Sequence, residues 1–222
     1  MALLLFLLSP FAVAQNGEAS EVKFAYQFEN ARFYIPLIKI DLSPHGEGLL
    51  QFKRGESDDL IDLKFKLFPE TLARIRQLYA ETDFLSSTEN YQDKKDHSNL
   101  GWVTLSMNAG ERNREARFNY TPNPQIKELA DIYRALATQH MNLFDIETSQ
   151  QFQPLDVPKQ IEILENDLRL ERIAEPQQLL PKLREIATGD QAPLIARNQA
   201  KRLIVSIEKG KFKTPVKTAG SK

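Results

Sequence analysis

From Val22 the chain alternates with a period of two: Val22, Phe24, Tyr26 and Phe28 on one side, Lys23, Ala25, Gln27 and Glu29 on the other. Such alternation predicts a half-buried strand. A second extended segment covers Arg32 to Leu42, and Pro36 within it has no N–H to give a ladder, which predicts an edge strand or a broken one. Ser43-Pro44-His45-Gly46 is turn chemistry, after which Leu49 to Lys53 reads as a short strand. Beyond a loop at Gly55 to Asp59, Ile61, Leu63, Phe65 and Leu67 alternate with Asp62, Lys64 and Lys66, the clearest strand in the chain. Pro69 then switches the period, because Leu72, Ile75, Leu78 and Tyr79 fall on one helical stripe. Pro69 and Glu70 suit a first helical turn, where an N–H is dispensable and negative charge meets the positive end of the dipole. The helix is expected to end near Asp83, before a long polar stretch to Asn99; a loop of that length is functional or mobile.

Two further strands are predicted at about 100–107 and 112–120. Their more apolar faces carry Val103, Leu105 and Met107 on one, and Ala116, Phe118 and Tyr120 on the other. An odd-length loop would set these faces on opposite sides of the sheet. An even-length turn, Ala109-Gly110 in its shortest form, unites them by pairing Met107 with Arg112 and Val103 with Ala116. Thr121-Pro122-Asn123-Pro124 opens a long helix with Ile126, Leu129, Ile132, Tyr133, Leu136, Met141 and Phe144 on its buried side. Strands, helix, strands, helix predicts an α+β fold: an antiparallel sheet with two covering helices. No Gly-rich phosphate loop or βα alternation supports a dinucleotide-binding fold.

The polar, Pro-interrupted residues 148–158 read as a linker between a sheet domain at 15–147 and a small all-helical hairpin module at 159–210. Helices are expected at about 158–173, 176–188 and 191–209. Leu183 and Leu203 lie mid-stripe on the last two, Leu194 and Ile195 join the final stripe, and Asp190 is the expected N-cap. The Lys-rich end, 211–222, is expected to be disordered.

The last two helices resemble a HEAT hairpin. A Leu-rich first helix is followed by Asp190, Pro193, Arg197, Ala200 and Leu203, similar to that family's Asp…Val-Arg-x-x-Ala-x-x-x-Leu run, with Ile195-Ala196 where Val usually precedes the Arg. The match covers about 35 residues, too few for a stacked array, so it implies one packing module. The first domain resembles extracytoplasmic α+β domains of bacterial envelope proteins. The shared features are Gly46-Glu47-Gly48 before a short strand, Asp83-Phe84-Leu85 ending a helix, and a polar loop before Gly101. That resemblance implies no catalytic residues.

Composition adds an address. Ala2 to Leu8 is an apolar run too short to span a bilayer, and Ala12-Val13-Ala14 follows as a small-x-small cleavage pattern. Residues 1–14 are therefore expected to be a signal peptide, giving an extracytoplasmic protein, periplasmic or secreted, with no membrane anchor after cleavage. The 29 basic and 30 acidic residues balance, which argues against a dedicated nucleic-acid binder. The absence of cysteine removes disulfides, thiolate metal sites and a cysteine nucleophile. His45, His97 and His140 are scattered, the acids of 89–97 have no EF-hand spacing, and no catalytic motif occurs, so neither cofactor nor metal is expected.

The even-length turn places Trp102 opposite Arg117, a pairing that favours cation–π stacking on the less apolar face of the sheet. Arg112 and Arg114 sit toward the hairpin tip. These four residues are the candidate partner-binding set, and the expected function is a non-catalytic protein-binding or structural module that meets another envelope protein. The alternative is an extracytoplasmic hydrolase whose carboxylates the sequence does not pair. Adjacent Asp58-Asp59 reads as a solvated turn.

Overall fold

The computed structural model describes residues 22–55, 57 and 59–216; the expected signal peptide, Asp58 and residues 217–222 lie outside them. Four strands come first: β1 (Val22–Glu29), β2 (Leu37–Leu42), β3 (Glu47–Phe52) and β4 (Ile61–Lys66). Helix α1 (Pro69–Glu81) follows, then β5 (Trp102–Ala109), β6 (Arg112–Phe118) and the long α2 (Pro124–Phe152). The six strands form one antiparallel sheet in the order β4-β3-β2-β1-β5-β6. The α+β class is as expected, with α1 and α2 contributing to the core on one face of the sheet.

Alternation decides which side chains enter that core. Phe24, Tyr26, Ile38, Ile40, Leu50, Phe52, Val103, Leu105 and Phe118 meet Ile75, Leu78, Ile126, Leu129, Tyr133 and Leu136 there. At Gly48 a Cβ would lie 2.3 Å from the Phe65 ring on the neighbouring strand, so only glycine lets that ring cross β3. On its other side the Phe65 ring stacks on His140 of α2 at 4.4 Å.

Several expectations are corrected. The strand begins only at Leu37, after Pro36, and β2 lies inside the sheet between β1 and β3 rather than at an edge. The β5–β6 turn is even, and the two apolar faces are united. Gly110, at φ 67°, and Glu111 form the turn, so Met107 pairs with Arg114 and Val103 with Phe118, two positions from the expected register. Tyr120 lies past the strand end and is exposed.

The expected linker is mostly helical. Helix α2 continues to Phe152, one 3-10 turn spans Pro154–Asp156, and α3 (Val157–Arg169) begins at once. A 3-10 turn at Pro176–Leu179 leads into α4 (Leu180–Thr188), and α5 (Leu194–Glu208) completes the chain's helices among the described residues. These build a second core in which Leu183 and Leu203 are both buried, together with Ile146 from α2. Leu194 and Ile195 are instead exposed, and the position before α5 is Pro193, with no side-chain cap from Asp190. Residues 211–216, expected to be disordered, are placed: Phe212 packs on the second core and Val216 on the first.

Polar contacts hold the later helices against the sheet domain. Glu175 is buried, and its carboxylate accepts from the Phe68 N–H at 2.9 Å, at the N-terminus of α1 where the dipole favours a negative group. The Glu175 N–H donates to Gln139 at 2.7 Å, and Gln178 donates to the Glu175 carboxylate and, at 2.8 Å, to the Lys66 carbonyl. Asn142 of α2 donates to Asp167 of α3 at 2.9 Å.

Candidate partner-binding groove

The four residues singled out from the sequence do not share one surface. Trp102 and Arg117 lie on the open face of the sheet, with the guanidinium 4.6 Å from the indole centroid. The contact is diagonal, since Arg117 pairs with Thr104, and Glu29 reaches the same guanidinium at 3.8 Å. Arg114 lies on the helix-covered side. It donates to the carbonyls of Phe84 and Glu89 at 2.6 and 2.7 Å and stacks on the Phe84 and Tyr91 rings at 4.9 and 5.0 Å. Its donors and planar face are thus spent on pinning the long loop after α1, whose Tyr91 belongs to the main core. Arg112 stands apart at the sheet end, in a depression shared with His45, Arg76 and Asp83.

A larger concavity lies elsewhere. A groove of about 1190 Å³ runs between the β1–β2 loop, the N-terminal half of α2 and the turn after α3. Its floor is apolar and aromatic: Tyr26, Phe28, Ile35, Ile38 and Ala135. Phe33 and Tyr34 stand on its rim, 47% and 72% exposed, unusual for rings of that size. The loop that carries them is braced. The Asn30 N–H donates to the Pro36 carbonyl at 2.9 Å, Phe33 N–H to Asn30 at 3.0 Å, and Gly55 N–H to the Tyr34 carbonyl at 2.6 Å. The Asn30 side chain also bonds the Asn99 carbonyl at 3.2 Å, tying the loop to the start of β5. Two exposed aromatics stand here on a backbone already held by hydrogen bonds, so little backbone entropy is left to lose on binding.

Charge lines the helical wall. Asp131 sits between Lys127 at 2.6 Å and Arg134 at 2.7 Å. Glu128 is held by Arg74 of α1 at 2.7 Å, and hydrogen bonding to that carboxylate raises the already high pKa of the guanidinium. Arg172, from the turn after α3, faces Asp167 at 3.6 Å. At the floor, the Tyr26 ring stacks on Tyr133 at 5.2 Å, and burial pushes its hydroxyl pKa up to about 12 despite the opposing pull of Arg134. The phenol therefore stays neutral, able to donate, at physiological pH.

Sequence reasoning passed over these residues because it read 32–42 as one extended segment. The signal was present in Asn30-Ala31-Arg32-Phe33-Tyr34: two adjacent aromatics break strict alternation between an Asx turn and a proline, so one of them cannot face the core. Among the described residues no group of three or more His, Asp and Glu side chains is placed to hold a metal ion. Compared with known proteins, the chain matches no family model and no curated sequence.

Proposed function

We propose that this is an exported, non-catalytic binding protein of the cell envelope that holds a segment of another envelope protein in the groove beside α2. The observation that carries this reading is the pair of exposed rings, Phe33 and Tyr34, on a braced loop above an apolar floor. Such a surface supplies contact area at a low backbone-ordering cost. The groove acids Glu128 and Asp131 are engaged by Arg74, Lys127 and Arg134, an arrangement that suits a charged binding wall better than an acid–base pair awaiting substrate. Helices α4 and α5, the HEAT-like pair, act in this reading as packing support for α2, with Trp102 and Arg117 as a secondary contact on the open sheet face. The leader at 1–14 directs export, and N-terminal sequencing of the exported protein should begin at Gln15; an intact Met1 on a cytosolic product would remove the envelope from the proposal.

A photo-crosslinking residue in place of Tyr34, compared in living cells with one in place of Leu155, tests the surface. Leu155 is 85% exposed but lies outside the groove. The Tyr34 position should give a discrete adduct that the Leu155 position does not. Equal labelling at both would show that the groove is not the contact surface.

A further inference from the structure

Resting on the groove reading, we infer that the bound segment is an acidic peptide bearing an aromatic or leucine side chain: its apolar residue packs against Phe33, Tyr34 and Ile35, and its carboxylates face Arg32, Lys127 and Arg134. Charge complementarity selects this occupant. Asp131 is one carboxylate between two cations, so the α2 wall keeps a surplus positive charge after internal pairing. Glu128 is offset only in part, since Arg74 of α1 reaches it at 2.7 Å and also reaches Glu81 at 3.5 Å. Among the described residues the lining still sets Arg32, Lys127, Arg134 and Arg172 against Glu128, Asp131 and Glu171. Arg32 stands on the loop opposite and makes no ion pair among the described residues. Its backbone N–H is fixed by the Asn30 side chain at 3.0 Å, which holds the position of the residue while the guanidinium remains available. Among the described residues that line the groove, Glu171, beside Leu170, makes no ion pair. An incoming acidic residue is therefore favoured near Arg32 and Lys127, away from the turn after α3 that carries Glu171.

The groove's concavity favours a chain segment over a flat surface. A membrane would need Phe33, Tyr34 and the cations to project together toward one plane.

The test is selection of a phage-displayed random dodecapeptide library on the full chain, followed by titration of the enriched peptides against wild type, Arg32→Glu and the Phe33→Ala/Tyr34→Ala double variant. All three residues lie on an exposed loop, and circular dichroism confirms that each variant is folded. Enriched peptides should combine Asp or Glu with Phe, Tyr, Trp or Leu. Their affinity should fall at least about fivefold with Arg32→Glu, weaken as salt is raised, and vanish with the double variant. Enrichment of basic or uncharged peptides that still need Phe33 and Tyr34 would overturn the acidic ligand and leave the groove reading standing. Peptides that bind the double variant as well as wild type, or no enrichment at all, would overturn both. Co-sedimentation with phosphatidylglycerol vesicles that is lost in the double variant, without peptide enrichment, would reassign the surface to lipid.

Discussion

His140 spends its imidazole in an apolar setting, stacked on Phe65 with its Nε2 buried and unbonded. Desolvation lowers its pKa from 6.5 to about 4. The native state thus prefers the neutral ring, and its contribution to stability is complete above pH 6.5 and lost as pH falls toward 4. The shift corresponds to about 3 kcal/mol. Glu175 works in the opposite sense: burial raises its carboxyl pKa above 4.5, so the stability linked to it is greatest at low pH and fades as pH rises through the raised value. Urea unfolding of His140→Phe at pH 7 and pH 4.5 separates the two. The variant should keep the stack and lose less stability on acidification than wild type; identical acid sensitivity would show that His140 already meets water. Neither residue's part was legible in the sequence. Each is fixed by a long-range contact, Phe65 for one and the α1 N-terminus for the other, that no local pattern encodes.

Whole elements were more legible, and the errors have local causes. The faces of β5 and β6 followed from parity, whereas the register depended on which residues take the turn, and Gly110 at positive φ draws Glu111 into it. The loop after α1 read as polar, functional or mobile, because its core aromatics, Phe84 and Tyr91, carry no periodic signal; an isolated tyrosine among charges was the available clue. Since Arg114 supplies two carbonyl bonds and two cation–π contacts there, Arg114→Ala should raise amide exchange across 84–91 at least tenfold while α2 stays protected and 92–93 stay tied to Asn119 and Tyr120. Uniform exchange in both proteins would mean that Tyr91 burial suffices. In the final hairpin, Leu203 is buried on the second core and Leu203→Ala should cost about 2–5 kcal/mol. Asp190→Ala should change stability by less than about 0.5 kcal/mol, because Asp190 is exposed and caps nothing. Thermal unfolding of both variants checks this, and a cost for Asp190→Ala equal to that of a true cap would restore the expected N-cap.

For the molecule as a whole, α2 is the element that matters most. Ile126 to Met141 fill the first core and Ile146 enters the second, while Glu175 and Asp167 fasten the later helices to it and to α1. Polar composition at 148–158 suggested a linker because the last turns of α2 expose glutamines to solvent, and an exposed helix surface and a linker share the same residues. Two cores threaded by one helix should unfold together. The Trp102 fluorescence and the far-ultraviolet helical signal should therefore lose their native values at the same urea concentration; separated midpoints would show that the two cores melt independently.

The sheet order carries a consequence for how the molecule is made. Strand β1 stands at its centre, yet the partner on one side, β2, follows directly, while the partner on the other, β5, arrives only after two further strands and a helix. In a chain delivered from its N-terminus, the β1–β4 meander is complete while one side of β1 still offers its row of amides and carbonyls to any strand that comes near. Until Trp102–Ala109 claims that row, the half-built sheet is a template, and the interval is the time in which a neighbouring copy of the same nascent chain competes for the place.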